Sequence, residues 1–490
     1  MKKYHLILIL SFFFGIGNRA EAQKFWAVNL EGDTLYYKVI SSTVPFSVEI
    51  TYKGDDYQVF ADEYIGEITI PLTVIHNSIA YDVRAIGENA FRVCNNIDNV
   101  ILPNSIISIG SCAFSNSSIN SISLPSSVNY IGEWSFRYCF GLTNFYIPST
   151  LTLIDFASLY GCWFMEEIIV DPNNPNYSSI DGVLYNKLGD TLICCPGAKQ
   201  GAFLITNNIN YIEDLAFCYC NLNAINVESN NLNYSSLDGI LYNKVLDTLI
   251  ACTTQKTGSV IIPSSVSHIY WSSFFQCNQL SSIIIPSSVS SIGDFAFAYC
   301  DGLTSIQIPN SITKLNMGVF YDCSGLTSIT IPAFVTSIGD QAFSYCIGLR
   351  EIILFPETPP EIVSSTFSGI LDTIPIRVSC SSLSLYQEAE YWSGFINYHC
   401  FIGLDNNISN NSGLKLYPNP ASGIINLEIN TDNNIVLVLN VYNIMGSLVQ
   451  TIRNYHNNTP IIISDLKNGF YFIEIVYNNF AIKEKLLIYR

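Results

Sequence analysis

The chain has 490 residues, of which 49% are hydrophobic and only 13% charged, and its formal net charge is −18. That balance excludes a disordered chain, which needs more charge and fewer aromatic and β-branched residues. An acidic chain without a basic run cannot neutralise phosphates, so nucleic acid is excluded as a partner and the charge is read as serving solubility.

In chain order, Lys2 and Lys3 precede an apolar run from Leu6 to Ile16, followed by Ala20-Glu21-Ala22. This pattern predicts a signal peptide over residues 1–22, cut between Ala22 and Gln23. The apolar run is too short to span a bilayer and no later stretch has the length of a membrane helix. An exported protein with no transmembrane segment after signal removal is expected. Residues 23–82 alternate apolar and polar side chains in short runs such as Val48-Glu49-Ile50-Thr51-Tyr52, separated by Gly-Asp turns. They predict a β-strand cap over one end of the long region beyond Asp82.

From Val83 the chain repeats. Pro263, Pro286, Pro309 and Pro332 are 23 residues apart, as are Cys277, Cys300, Cys323 and Cys346, and Phe274, Phe297, Phe320 and Phe343. A fixed period of this length signals a solenoid, in which each coil buries its apolar side against its neighbours. The positions Phe91, Phe114, Phe136, Leu159, Phe217, Phe274, Phe297, Phe320 and Phe343 mark nine coils; the second is one residue short and carries Ser117 in place of cysteine. In Leu303-Thr304-Ser305-Ile306-Gln307-Ile308 the apolar residues point inward, and Pro309 ends the strand. Stacked in parallel, these strands predict one continuous sheet, with Ile292-Gly293 turning on the opposite side and Phe297 filling the core from a short helical or irregular arc.

Eight of the 15 cysteines (Cys94, Cys139, Cys162, Cys220, Cys277, Cys300, Cys323 and Cys346) come three residues after the phenylalanine position. They predict a column of buried thiols acting as small fillers. Cys380 with Cys400 is the best disulfide candidate. Two coils carry insertions: Asn176 to Lys187 recurs as Asn233 to Lys244, offset by 57 residues, with Asp181-Gly182 and Asp238-Gly239 reading as hairpin turns on the rim. Beyond Phe355 the period fails. A strand at Ile374 to Cys380 and a helix at Leu383 to Trp392 predict a closing cap around Tyr386, Trp392 and Phe395, so the repeat region runs over residues 83–404. Residues 405–413 read as a linker. In residues 414–490, runs at Ile424 to Ile429, Ile435 to Tyr442, Pro460 to Ser464, Gly469 to Tyr477 and Phe480 to Ile488 predict a small Ig-like β-sandwich.

No catalytic, cofactor or metal motif is present. The histidines are scattered, and Cys194-Cys195 is better read as a buried hairpin base than as a metal pair. Asp181 and Asp238 are read as turn formers rather than calcium ligands. What remains is surface. The exposed column of the sheet reads Ile101, Ser123, Tyr146, Ile169, Asn226, Ile284, Gln307, Thr330 and Ile353, a weakly polar face suited to contact with a protein or a glycan.

The pattern Ile292-Gly293, Ala296-Phe297, Cys300, Leu303, Ile306, Ile308-Pro309 resembles the BspA-type leucine-rich repeats of bacterial surface proteins. Tyr417-Pro418-Asn419-Pro420, Gly469, Tyr471 and Lys485 resemble the type A C-terminal sorting domain of the type IX secretion system. These resemblances imply a mostly β leucine-rich repeat solenoid. They also imply passage through the type IX secretion machinery to the outside or the outer surface of a Gram-negative bacterium, and an adhesin-like binding role. A structural envelope component without an external ligand is the alternative, and a hydrolase with an unrecognised site the third reading.

Overall fold

The computed structural model describes residues 23–56, 64–401, 414–417, 424–429, 436–443, 448–456, 460–463, 465–467, 469–477 and 480–488. The chain divides into two compact units, Met1–Thr304 with Asn316–Gly325, and Ser305–Leu315 with Leu326–Arg490. The fold is mostly β, a solenoid of stacked coils.

In the first unit three sets of backbone hydrogen bonds join neighbouring coils, though not all three at every step. The first is the parallel sheet, seen where Asn144–Ile147 pairs with Glu167–Val170 in the register Tyr146↔Ile169. Alternation there buries Phe145 and Ile147 and turns Asn144 and Tyr146 outward, as period-two patterning requires. The second set is a row of two-residue strands, Ser108–Ile109, Tyr130–Ile131 and Leu153–Ile154, on the opposite side. The sequence pattern indicates only a turn there. The glycine after the isoleucine permits close stacking: a Cβ on Gly110 would lie 2.7 Å from the Glu88 backbone nitrogen.

The third set lies in the arc that carries the phenylalanine, and it is not helical. Residues two before and two after the phenylalanine take left-handed conformations, for example Trp134 (φ 58) and Tyr138 (φ 59) around Phe136, and Phe295 (φ 53) and Tyr299 (φ 60) around Phe297. Each such residue costs about 1–2 kcal/mol. The geometry aims alternate N–H groups along the stack, so Phe136 N donates to Ser158 O at 2.8 Å and Tyr138 N to Tyr160 O at 2.9 Å. These bonds, made in the dry interior, offset the strain. The phenylalanine rings then lie face to face: Phe91 on Phe114 at 5.0 Å and Phe114 on Phe136 at 5.2 Å.

The cysteine column does more than fill space. Cys139 Sγ donates to Phe114 O at 3.0 Å, Cys162 Sγ to Phe136 O at 3.1 Å and Cys300 Sγ to Phe274 O at 3.0 Å. Each of these thiols thus serves a phenylalanine carbonyl of the preceding coil. All eight are free and buried, as the sequence reading expects.

The expectation of one continuous sheet is not met. The sheet strands form separate ladders, including Asn144–Ile147 with Glu167–Val170, Gly201–Ile205 with Leu222–Val227, and Gly258–Ile261 with Leu280–Ile284. The two inserted hairpins cause the breaks among these three ladders. Ile168 N donates to Gly182 O in the first hairpin turn and Ile225 N to Gly239 O in the second, both at 2.8 Å. The hairpin therefore takes the edge that the next strand would have used. Asp181 (φ 51) with Gly182 (φ 74), and Asp238 (φ 52) with Gly239 (φ 74), form the tight turns that the Asp-Gly pairs predict. Each insertion is anchored by a buried asparagine. Asn174 Nδ2 donates to Pro148 O at 2.7 Å and Leu151 O at 2.9 Å, while its Oδ1 accepts from Asn176 N and Tyr177 N, both at 2.9 Å. Asn231 repeats this role.

At the start of the chain, Ile65–Thr69 already pairs with Asn96–Ile101, so the first sheet rung lies upstream of Val83. Ile79–Ile86 spans the predicted boundary at residues 82 and 83 and joins Ser47–Thr51 to the row of two-residue strands.

In the second unit, Ser328–Ile331, Glu351–Leu354, Ile376–Ser379 and Tyr398–Phe401 form a parallel ladder. Phe343 stacks on Phe367 at 5.4 Å, a further coil position that the sequence reading misses. The helix is shorter than predicted, Leu383–Glu388, with a 3-10 turn after it over Trp392–Gly394. Tyr386 donates its hydroxyl to Pro356 O at 2.9 Å and Trp392 its indole N–H to Pro360 O at 2.8 Å, which closes the apolar end. Cys380 and Cys400 form a disulfide. The described residues between 414 and 488 form two antiparallel sheets around a shared core of Ile425, Leu427, Leu439, Val441, Tyr455 and Ile473. Two of their strands, Leu414–Tyr417 and Leu448–His456, lie outside the predicted runs.

Candidate binding face

The exposed column is aligned by strand register. Thr69 pairs with Ile101, Tyr146 with Ile169, Leu204 with Asn226, and Ile261 with Ile284 in the first unit. Gln307 pairs with Thr330, Thr330 with Ile353, and Ile353 with Arg377 in the second. Ile101, Ser123, Tyr146, Ile169, Asn226, Ile284, Gln307 and Thr330 are exposed, whereas Ile353 is half-buried. Leu204 and Ile261, 52% and 71% exposed, belong to the same column and escape the sequence reading. They sit at the end of the insertions, where the 23-residue count is lost; the alternation in Phe203-Leu204-Ile205 is the available signal.

The face carries little charge. Tyr146 donates its hydroxyl to Asp171 Oδ2 at 2.9 Å. The Asn173 backbone N–H, with that phenol, holds the Asp171 carboxyl below its usual range. Arg377 at the far end pairs with Glu351 at 2.8 Å. Among the described residues no group of three or more His, Cys, Asp or Glu side chains is placed to hold a metal ion.

Against family models, the chain matches the BspA type leucine rich repeat region in six copies, over residues 56–181, 198–239 and 251–373, more than half of its length. The chain belongs to the BspA-type leucine-rich repeat family. After the BspA-type coils comes a match to the secretion system C-terminal sorting domain over residues 415–489. That domain implies the type IX secretion machinery and points to secretion and the cell surface. Among the described residues no helix is long and apolar enough to cross a membrane.

No curated protein matches the sequence at a significant level. Among solved structures, a leucine rich cell surface protein of Faecalibacterium prausnitzii is similar at 23% identity, covering 78% of this chain and 96% of that one, with a TM-score of 0.42. The pneumococcal vaccine antigen PcpA is similar at 17% identity, covering 77% and 98%, with a TM-score of 0.41. A leucine-rich repeat protein of Bacteroides ovatus gives 19% identity, 74% and 98% coverage and a TM-score of 0.29.

Of the sorting-domain residues, Tyr417 pairs with Asn426, Gly469 with Ile488, Tyr471 with Leu486 and Lys485 with Phe472 in the two sheets. Pro418, Asn419 and Pro420 lie outside the described residues, as do residues 1–22 with Ala22. Gln23 is exposed beside the first strand, its side-chain amide 3.2 Å from His76 Nε2.

Proposed function

We propose that this protein is an adhesin-like binding protein of the cell surface, not an enzyme, and that the sheet column contacts an extracellular protein. One observation carries the reading. Ile101, Tyr146, Ile169, Leu204, Ile261 and Ile284 are each at least 41% exposed, although a leucine-rich coil needs apolar side chains only on its inner positions. Strand propensity alone is satisfied by threonine, which stands in the column at Thr330. A row of large apolar side chains in register, bordered by few charges, matches the core of a protein interface better than its rim. Export by the predicted signal and the sorting domain brings that face to its partner.

The test is capture of the secreted protein on immobilised extracellular matrix proteins, compared with the variants Ile169→Asp and Ile261→Asp. Burying one such side chain is worth about 2 kcal/mol. Each variant should therefore weaken binding by more than about tenfold at unchanged melting temperature. Equal binding by wild type and both variants would show that the face is inert, and the structural role in the envelope would then stand.

A further inference from the structure

The inserted hairpin of the second long coil leaves an opening on the arc side of the first unit. The arcs of Phe217 and Phe274 are separated there by the short segment Ile250-Ala251-Cys252, not by a full arc. The result is a half-open cleft of about 230 Å³ lined by Tyr211, Glu213, Asp214, Tyr270, Trp271 and Phe275, among others. This is smaller than the roughly 300–1,000 Å³ of sites for drug-sized ligands, so it suits a head group.

Its chemistry is unusual for the molecule. Two adjacent carboxylates, Glu213 and Asp214, face a wall of aromatic rings, and the lining includes no Lys, Arg or His. Tyr270 donates its hydroxyl to Asp214 Oδ1 at 3.1 Å, which places that carboxylate over the cleft. Burial, with Asp214 beside it, pushes the Glu213 carboxyl above its usual range. Trp271 is backed by Phe156, whose ring is stacked on it at 6.3 Å and 26°. A half-buried carboxylate pair without a basic partner is costly, and a cation entering between it and the rings removes that cost. Aromatic faces favour a weakly hydrated organic cation over a strongly hydrated metal ion.

We propose that this cleft binds an organic monocation, an ammonium or alkylated ammonium head group, held between the Glu213 and Asp214 carboxylates and the face of Trp271. None of the residues lining the cleft belongs to the sheet column. The ionisable side chains that line it are Glu213, Asp214, Tyr211, Tyr234, Tyr270, Cys218 and Cys252. Burial and the neighbouring Asp214 raise the Glu213 carboxyl, so Glu213 gains a proton more readily than an exposed carboxylate as pH falls.

The experiment is a titration of the exported protein with tetramethylammonium chloride at constant ionic strength, read by calorimetry and tryptophan fluorescence. Sodium chloride, calcium chloride and neopentyl alcohol, the uncharged mimic of the same shape, serve as controls. Nα-acetyl-lysine methylamide in a parallel arm distinguishes a peptide side chain from a free quaternary amine. Saturable binding of tetramethylammonium or of the lysine derivative is expected, weakened about tenfold by Glu213→Gln and by Trp271→Leu. Binding should also weaken as pH falls and Glu213 takes up a proton. Circular dichroism and melting temperature confirm that the variants fold. The proposal is overturned if neither cation saturates, if neopentyl alcohol or calcium binds as well, or if Glu213→Gln leaves affinity unchanged. Loss of matrix capture in Ile169→Asp with cation binding intact would show the two sites to be separate.

Discussion

Replacing Phe297 by alanine probes the solenoid interior directly. Phe297 is fully buried, and its ring is stacked on Phe274 at 5.3 Å and on Phe320 at 5.4 Å. Removing roughly 150 Å² of buried apolar surface at about 25 cal/mol/Å² costs roughly 4 kcal/mol, before any cavity term is added. Phe297→Leu keeps most of the volume and loses two stacked contacts, at about 2 kcal/mol. A leucine already stands at this place in one coil, where Leu159 is buried.

Around Phe297 the stacked rings belong to immediately adjacent coils, so the loss should be local rather than shared along the array. Native-state hydrogen exchange reads this coil by coil. The reporters are the amides of Phe274, Gln276, Phe297 and Tyr299, which donate to Ala296, Ala298, Val319 and Tyr321. In Phe297→Ala these amides should lose protection by several orders of magnitude, while Phe91 and Phe114, four or more coils away, keep theirs. A loss below about 1 kcal/mol, or an equal loss at Phe91, would refute the picture of rings stacked in a nearest-neighbour array.

Asn174→Ala removes two hydrogen bonds to carbonyls of the preceding coil, of which Pro148 O keeps the Leu151 N–H, and takes the side-chain acceptor from the N–H groups of Asn176 and Tyr177. It should cost about 3 kcal/mol by urea denaturation, with Asn231→Ala doing the same one insertion later. The free thiols, 13 among the described residues, should resist Ellman's reagent in the native protein wherever they are buried and react in urea. Burial pushes the Cys139 thiol up to about 12 from its ordinary 9.0. A raised thiol pKa favours folding below the unfolded value. Stability should therefore be flat up to about pH 9 and fall between there and about pH 12, a decline that circular dichroism would track and Cys139→Ala would lessen.

The columns are legible because a period survives any detail of the fold. Phe91, Phe114 and Phe136, or Cys277, Cys300 and Cys323, recur at fixed intervals, and equal intervals in a stack mean equal positions. The closing cap is legible for a related reason: Tyr386 and Trp392 end the apolar series where Pro356, Pro359 and Pro360 break the count. The Asp-Gly turns carry their own backbone chemistry and need no tertiary information. Leu204, Ile261 and Phe367 escape because each stands where an insertion or a proline run resets the count, and counting is the only guide.

By itself, the sequence determined that apolar residues spaced one coil apart share a single interior, since they have nowhere else to be buried. Only the tertiary structure decided where the sheet stops, because a hairpin that takes up the N–H of Ile168 leaves no trace in the pattern of Ile168 itself. It also decided the left-handed arcs at residues as ordinary as Trp134 and Tyr138, which are stable only with hydrogen bonds to a coil 22 residues further on. The same holds for the cleft of Glu213, Asp214 and Trp271. Their juxtaposition depends on how far two arcs are held apart, and that distance is set by the packing of the segment between them.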